Sequence, residues 1–288
     1  MRSNRKILVF IECAGVDPWL EIEEKAQRPI LERWLHEFAE SVWISGTSDG
    51  LGNHSLYPGV KHIRRQLKIT GRTDSALARL IRILIGQFNL HAFGEKKARD
   101  FFYRRFSGRP VRVEGNRVWL PVPTQIHIAG LRTIETFRFV LKNYEFDFAV
   151  RLSSTCLVRP DVLRRYVSKL PMQRVFGGSP IAFGGTTFMS GAATIFSRDV
   201  IEGIVDNEKM FSLAVYEDVA ISLLVQKLNL ADSFDFSRIE ITDPGTLPDL
   251  VKKWREFPVI RCKAELPTRT PQLVIDNMLA VEKFLGLQ

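Results

Sequence analysis

The sequence has few cysteines, and none is spaced for a disulfide framework or a zinc site. Only three occur in 288 residues, at Cys13, Cys156 and Cys262; the number is odd and no CxxC pair is present. This pattern argues against a secreted domain stabilised by disulfides and favours a reducing, cytoplasmic compartment. The five histidines also lack metal-ligand spacing, so they imply no zinc site; they are His36, His54, His62, His91 and His127.

Long apolar runs are absent as well. The longest apolar stretches, such as Ile7–Ile11 and Leu80–Ile85, are short or broken by charge well before the roughly 20 residues that cross a bilayer. The basic opening followed by Ile7–Ile11 imitates a signal peptide, but Glu12 ends the apolar run too early. We therefore expect no transmembrane helix and a first strand buried in a core. The chain also lacks repeats, and its 45% hydrophobic content suffices for one large domain over residues 1–288.

Acidic residues are scarce between Lys61 and Arg109. This segment holds 13 Lys or Arg against three acids, a net charge of +10, so the remainder of the +9 chain sums to about −1. Within this basic insert, at about residues 58–110, apolar spacing predicts an amphipathic helix over Thr73–Leu90. The helix either docks on an anionic membrane surface or packs its apolar face on the sheet. Nucleic-acid binding is disfavoured, because no RRM, KH or helix-turn-helix pattern accompanies the charge.

The hydrophobic pattern alternates between strands and helices. A strand at Ile7–Ile11, a helix at Pro29–Phe38 and a strand at Val42–Ser45 open the chain, which is typical of an α/β protein with a mostly parallel sheet flanked by helices. Further predicted elements are a hairpin over Arg112–Leu120, a helix over Ile128–Tyr144, a strand over Phe146–Leu152, a helix from about Pro160, an irregular Gly-rich run over Gly177–Gly191, a strand over Ala192–Phe196, a helix capped by Ser197, and helices over Val219–Leu228 and Pro271–Leu285.

Three blocks carry a resemblance to a known group of enzymes. They are YEFDFAVRLSSTCLVRPDVL (Tyr144–Leu163), FMSGAATIFSRDVIEGI (Phe188–Ile204) and YEDVAISLLVQKLNL (Tyr216–Leu230). In this order and spacing they resemble the core blocks of the Fringe-like and beta-1,3-galactosyltransferase families of GT-A glycosyltransferases. Weaker similarity extends to both ends, at Arg28–Trp34, Gly130–Thr133 and Phe257–Lys263. The resemblance spans roughly two thirds of the chain and leaves out the basic insert.

The resemblance implies a function and a set of site residues. It implies inverting transfer of a sugar from a UDP-sugar to a bacterial surface glycan or a lipid-linked precursor, with Asp218 as the general base, or Glu217 as second choice. The alternative is a structural role for Glu217 and Asp218, because carboxylates in the first turn of a helix interact favourably with the helix dipole. By the same resemblance the donor would be bound by Glu12, Arg132, Arg151, Ser153, Ser154 and Thr155, and the acceptor or sugar by Gly184, Gly185, Ser190 and Gly191.

The sequence departs from these families at one important place. The usual Asp-x-Asp, which holds a divalent cation against the donor diphosphate, is replaced by Arg151 to Thr155, RLSST. Hydroxyls are poor ligands for Mn²⁺ or Mg²⁺, so metal dependence is open and no residue is assigned to a metal. Arg151 or cations of the insert would then stabilise the departing diphosphate; Arg261 and Lys263 are either further diphosphate ligands or solvated surface. The missing motif also allows a catalytically inactive scaffold as the alternative.

Overall fold

The computed structural model describes residues 5–13, 19–47, 99–100, 104, 108–123, 129–183, 186–213, 215–247, 256–263 and 270–286. The strands of this part are β1 Ile7–Cys13, β2 Glu40–Thr47, β3 Arg112–Glu114, β4 Arg117–Pro123, β5 Phe148–Ser153, β6 Cys156–Val158, β7 Val175–Phe183, β8 Thr186–Ser197, β9 Asp232–Asp235, β10 Arg238–Ile241 and β11 Val259–Cys262. The α-helices are α1 Trp19–Ile22, α2 Arg28–Leu35, α3 Ala129–Asn143, α4 Pro160–Val167, α5 Arg198–Asp206, α6 Glu217–Lys227 and α7 Pro271–Leu285; a π-helical turn, Glu23–Gln27, joins α1 to α2.

A large, mostly parallel sheet forms the centre of the fold. Within the described part it has eight strands in the order β3-β4-β2-β1-β5-β8-β7-β9. The neighbours β4, β2, β1 and β5 run parallel, and β8 is inserted antiparallel between β5 and β7. A second, three-stranded sheet has the order β10-β11-β6. The predicted α/β class, with a mostly parallel sheet flanked by helices, is confirmed.

Helices cover both faces of the large sheet, which explains the continuous apolar run of β1. All seven residues of β1 are buried. Val9 and Ile11 pack with α2 and α7 in one core, while Leu8 and Phe10 pack with α3, α5 and α6 in the other. A parallel strand buried on both faces has no polar alternation. The buried Glu12 therefore stands out, because it lies on the α3 and α6 side of the sheet near the strand's carboxyl end.

Most predicted elements agree with the structure to within a few residues. The hairpin turns at Gly115 and Asn116, between β3 and β4, as the sequence indicated. Ser197 does precede α5, but its hydroxyl accepts a hydrogen bond from the backbone N–H of Val175 at 2.8 Å and makes no capping bond. In α7, Leu279 is exposed, whereas Val274, Ile275, Met278 and Val281 are buried.

The prediction of an irregular Gly-rich run over Gly177–Gly191 was wrong. Residues 177–183 belong to β7 and residues 186–191 to β8, and the two strands pair antiparallel. The glycines here serve close packing within a strand. A Cβ on Gly177 would lie 2.8 Å from Cγ2 of Ile195 and 3.1 Å from the backbone oxygen of Phe234. Glycine in a strand interior often marks such an approach.

The close packing at Gly177 predicts a measurable loss of stability on adding one methyl group. Gly177→Ala should lower the free energy of unfolding by about 1–3 kcal/mol, the usual cost of overpacking a filled core. Urea denaturation of the two proteins measures the difference. Gly245→Ala is the matched control, because a Cβ there meets its neighbours only at 3.4 Å or more. Equal losses for the two variants would contradict the packing at Gly177.

The predicted helix Thr73–Leu90 and most of the basic insert lie outside the described residues, so the insert and its two alternative roles stay predictions. One described residue of this segment, Arg99, donates hydrogen bonds to the backbone oxygens of Glu208 and Phe211 at 2.9 and 2.7 Å. No helix in the part of the chain that the structure describes is long and apolar enough to cross a membrane.

Candidate active site

Three segments distant in sequence meet at one edge of the large sheet. Strands β1 and β5 are parallel neighbours, and Glu12 near the end of β1 pairs with Ser153 at the end of β5. Helix α6 begins at this edge, because its first residue, Glu217, accepts a hydrogen bond from Arg151 of β5. In open α/β sheets, ligands bind beyond the carboxyl ends of the strands. This edge is therefore the candidate active site.

Arg151 lies at the centre of this arrangement. Its side chain is 3% exposed, and its Nη2 is 2.7 Å from Oε2 of Glu12 and 3.0 Å from Oε1 of Glu217. Its Nε also donates to Oε2 of Glu12 at 2.9 Å. Burial by itself would lower the pKa of the guanidinium, but the charges of Glu12, Glu217 and Asp218 raise it. Arg151 is thus a buried cation that fixes two carboxylates relative to each other.

Helix α3 completes the surroundings of Glu12. Thr133 Oγ1 donates to Oε2 of Glu12 at 3.4 Å, and Nη2 of Arg132 is 3.9 Å from the same oxygen. Arg132 Nη1 also donates to the backbone oxygen of Cys13 at 3.3 Å. The network ties the end of β1 to α3 and β5. Three residues that the sequence assigned to the donor, Glu12, Arg132 and Arg151, therefore contact one another.

Asp218 is held by backbone groups on the other side of the same edge. Its Oδ2 accepts the N–H of Gly191 at 3.0 Å, and its Oδ1 accepts the N–H of Val219 at 2.9 Å. A Cβ on Gly191 would lie 3.2 Å from Oδ2 of Asp218, closer than an ordinary contact, so glycine suits this approach. Ser222 adds a second link between α6 and β8, since its hydroxyl donates to the Asp218 backbone oxygen and accepts from Met189 N–H.

The turn that follows β5 is fixed by its neighbours. Ser153 Oγ lies 3.2 Å from Thr155 Oγ1. The side chain of Gln27, in the π-helical turn, donates to the backbone oxygens of Ser153 and Cys156 at 2.7 and 2.8 Å. The N–H of Cys262 donates to the Thr155 backbone oxygen at 2.8 Å. The turn therefore places two adjacent hydroxyls on a constrained backbone.

A divalent cation does not fit the residues at this edge. The turn offers hydroxyls only, and the carboxylates of Glu12 and Glu217 are engaged by Arg151. Within the described ranges no group of three or more His, Cys, Asp or Glu is arranged to hold a metal ion. Mn²⁺ and Mg²⁺ need several hard oxygen ligands, preferably anionic. This edge therefore lacks the ligands that these cations need.

Basic side chains of the small sheet adjoin the turn. Arg261 of β11 is opposite Cys156 of β6, and Glu240 of β10 is opposite Arg261. Burial by itself would raise the pKa of Glu240, but hydrogen bonding from Arg238 and the charges of Arg238, Arg261 and Lys263 lower it. The sequence assigned Arg238 no role. The sequence did hold a signal for this cluster. Charged residues alternate with apolar ones at positions 238 and 240 of β10, and the same spacing recurs at positions 261 and 263.

The remaining predicted residues lie in β8, in the turn after β5, or outside the described residues. Ser190 is buried and its Oγ accepts the N–H of Ala192 at 3.4 Å, so it lies beside Gly191 within β8. Ser154 is buried in the turn after β5. Gly184 and Gly185 lie outside the described residues. The pairing of Arg151 with two carboxylates favours a positioning role for it over the predicted contact with a departing diphosphate.

Fold and site together define an α/β protein with a charged cluster and a hydroxyl-bearing turn at the carboxyl ends of its parallel strands. No family model and no curated protein matches the sequence. Among similar solved structures, a glycosyltransferase involved in glycosylation of the major capsid of PBCV-1 has 7% sequence identity and a TM-score of 0.46, and the match covers 95% of this chain and 98% of that chain. The galactosyltransferase LgtC has 10% identity and a TM-score of 0.42, with 98% of this chain and 100% of that chain covered. The glycosyltransferase GlyE of Streptococcus pneumoniae TIGR4 has 9% identity and a TM-score of 0.43, with 98% of this chain and 64% of that chain covered. Because these TM-scores lie below 0.5, the functions of these proteins are not carried over to this chain.

Proposed function

We propose that this protein is a nucleotide-sugar-dependent glycosyltransferase of GT-A type. The supporting observation is that Glu217 and Asp218 lie at the same sheet edge as the Ser153–Thr155 turn, joined to it through Arg151. A transferase needs a carboxylate beside the place where the donor diphosphate is held. The UDP-sugar donor, the inverting outcome and a bacterial surface-glycan or lipid-linked acceptor come from the sequence resemblance. The three buried free cysteines fit a cytosolic setting.

The proposed reaction is a single displacement at the anomeric carbon. The acceptor hydroxyl oxygen forms a bond to this carbon while the bond to the donor diphosphate breaks, and its electron pair leaves on the diphosphate oxygen. The hydroxyl proton passes to Asp218. This carboxylate has one lone pair of each oxygen engaged by a backbone N–H, from Gly191 and Val219, which orients it and leaves further acceptor positions. Attack from the face opposite the leaving group inverts the configuration.

Asp218 suits the role of base better than Glu217 does. Asp218 lies against Gly191, next to Ser190, the residues that the sequence assigned to the acceptor. Glu217 is instead bound to the buried guanidinium of Arg151, which is shared with Glu12. We assign Glu217, Arg151 and Glu12 to positioning: they fix the first turn of α6 relative to β1 and β5, and with it the carboxylate of Asp218.

The second candidate is a catalytically inactive GT-A-fold protein that binds a partner or a donor without turnover. It is favoured by one observation, the absence of anionic metal ligands in the turn after β5. Donor binding with no release of nucleotide would support this scaffold function against the transferase.

Donor binding tests the proposal. The purified protein is heated with a panel of UDP-, GDP- and CMP-sugars, each with Mn²⁺ and with EDTA, and its melting temperature is recorded. We expect one UDP-sugar to raise the melting temperature, and the rise to persist in EDTA, because the site offers no suitable ligands for a divalent cation. No rise with any donor in either condition would contradict the transferase and favour the scaffold.

A further inference from the structure

The small sheet carries a positively charged face that takes no part in the proposed proton transfer. Arg238 and Glu240 project from the same face of β10, since they are two residues apart in a strand. The parallel pairing places Glu240 beside Arg261 of β11, and Lys263 follows two residues later. We name Arg238, Arg261 and Lys263 the basic triad.

The charges of the triad are only partly compensated. Glu240 Oε1 accepts hydrogen bonds from Arg238 Nε and Nη2 at 3.1 and 2.7 Å, and from Arg261 Nη1 at 3.2 Å. The two guanidiniums and the charge of Lys263, set against this one carboxylate, leave a local charge of about +2. Among the described residues, Nη1 of Arg238 and Nε of Arg261 are buried and have no hydrogen-bond partner. Buried donors without partners are costly, so a bound ligand that supplies acceptors would stabilise them.

The triad adjoins the hydroxyl-bearing turn after β5. Arg261 pairs with Cys156 across β6 and β11, and the Cys156 Sγ is 3.4 Å from Ser153 Oγ. Cys262, next to Arg261, donates its N–H to the Thr155 backbone oxygen. Burial raises the pKa of Cys156, and the hydrogen bond with Ser153 and the charges of Arg261 and Arg238 act against this rise. The thiol is therefore neutral and adds no negative charge beside the triad.

We propose that the basic triad, with the hydroxyls of Ser153 and Thr155, binds the diphosphate of a nucleotide-sugar donor in the place that a divalent cation takes in the related families. The identity of this ligand rests on the proposed function. A diphosphate diester carries about two negative charges, which the local charge of the triad matches, and guanidinium groups bind phosphate oxygens in bidentate fashion. During transfer the same cations stabilise the negative charge that develops on the leaving diphosphate.

The test uses inorganic pyrophosphate and UDP as probes, with the whole protein in EDTA. Isothermal titration calorimetry gives the dissociation constants of wild type, Arg261→Gln, Arg238→Gln and Lys263→Gln. We expect each substitution to raise the dissociation constants of both probes at least tenfold.

Arg165→Gln is the matched control, because it removes one cation and an ion pair with Asp161 on the exposed surface of α4. It should leave both dissociation constants unchanged. Melting temperatures identify any variant that fails to fold; Lys263 is half-buried and lies outside the strand, so its variant should fold.

The outcomes separate this site from the proposed function. No binding of pyrophosphate to wild type, or equal binding by wild type and all folded triad variants, overturns the site. If pyrophosphate binding is lost in the variants while no nucleotide sugar binds to wild type, the anion site stands and the transferase proposal fails. If a UDP-sugar binds wild type and the triad variants equally, the transferase stands and this site is wrong.

Discussion

Asp218→Asn should reduce the turnover of the preferred donor and acceptor by about 10²–10⁴-fold, the usual contribution of a positioned general base. The amide keeps the size of the carboxylate and retains an oxygen for a backbone N–H, but it cannot take up the acceptor proton. Donor affinity should change little, because Asp218 is hydrogen-bonded to Gly191 and Val219 on the proposed acceptor side. Steady-state kinetics with calorimetry of donor binding separates the two effects.

Two further variants show whether the loss of turnover is specific to Asp218. Asp276→Asn alters an exposed helical aspartate in α7, which accepts a hydrogen bond from Gln272, and should leave turnover unchanged. Glu217→Gln should reduce turnover less than Asp218→Asn does, because Glu217 acts through position. A larger loss for Glu217→Gln would reassign the base to Glu217, and full activity of Asp218→Asn would exclude it from proton transfer.

Arg151→Met should destabilise the fold by about 3–5 kcal/mol, the cost of removing one partner from a buried ion pair. The substitution leaves the buried Glu12 carboxylate without its main partner and frees Glu217 at the start of α6. The free energy of unfolding from urea titrations measures this loss. Turnover should fall as well, since the first turn of α6 would lose its link to β5.

The double variant Arg151→Met/Glu12→Gln isolates the ion pair. Removing both charges takes away the unpaired carboxylate, so the double variant should be more stable than Arg151→Met alone. Lys25→Met is the control for removing a cation from a solvent-exposed pair, because the exposed Lys25 pairs with Glu21 at 2.8 Å. Glu12→Gln is measured as the second single variant. If the double variant loses as much free energy of unfolding as Arg151→Met and Glu12→Gln lose together, Arg151 and Glu12 do not stabilise each other.

The elements of this fold were predictable where the local pattern reflects burial. The apolar run of β1 and the spacing of Ile30, Leu31 and Trp34 in α2 report directly which residues are covered. The run from Gly177 to Gly191 misled, because glycine permits both an irregular loop and a tightly packed strand, and only the neighbours Ile195 and Phe234 decide between them. The π-helical turn at Glu23–Gln27 has no sequence signature that the spacing of apolar residues reveals.

The sequence predicted which residues belong to the candidate site better than it predicted which of them contact one another. Glu12, Arg151 and Glu217 were singled out, but their mutual contact depends on strand pairing across 139 residues between Glu12 and Arg151. No local pattern encodes that register. Arg238 was missed for the same reason: its position near Cys156 follows from the pairing of β10 and β11 with β6, which lies far from both in sequence.

Release of nucleotide from a UDP-sugar tests the central claim most directly. The donor that raises the melting temperature is incubated with wild type and Asp218→Asn in EDTA, and free UDP is measured over time, with and without a lipid-linked glycan acceptor. The transferase proposal predicts UDP release by wild type, faster with the acceptor, and a loss of about 10²-fold or more in Asp218→Asn. Tight donor binding with no UDP release by wild type would contradict it and show a binding protein with this fold.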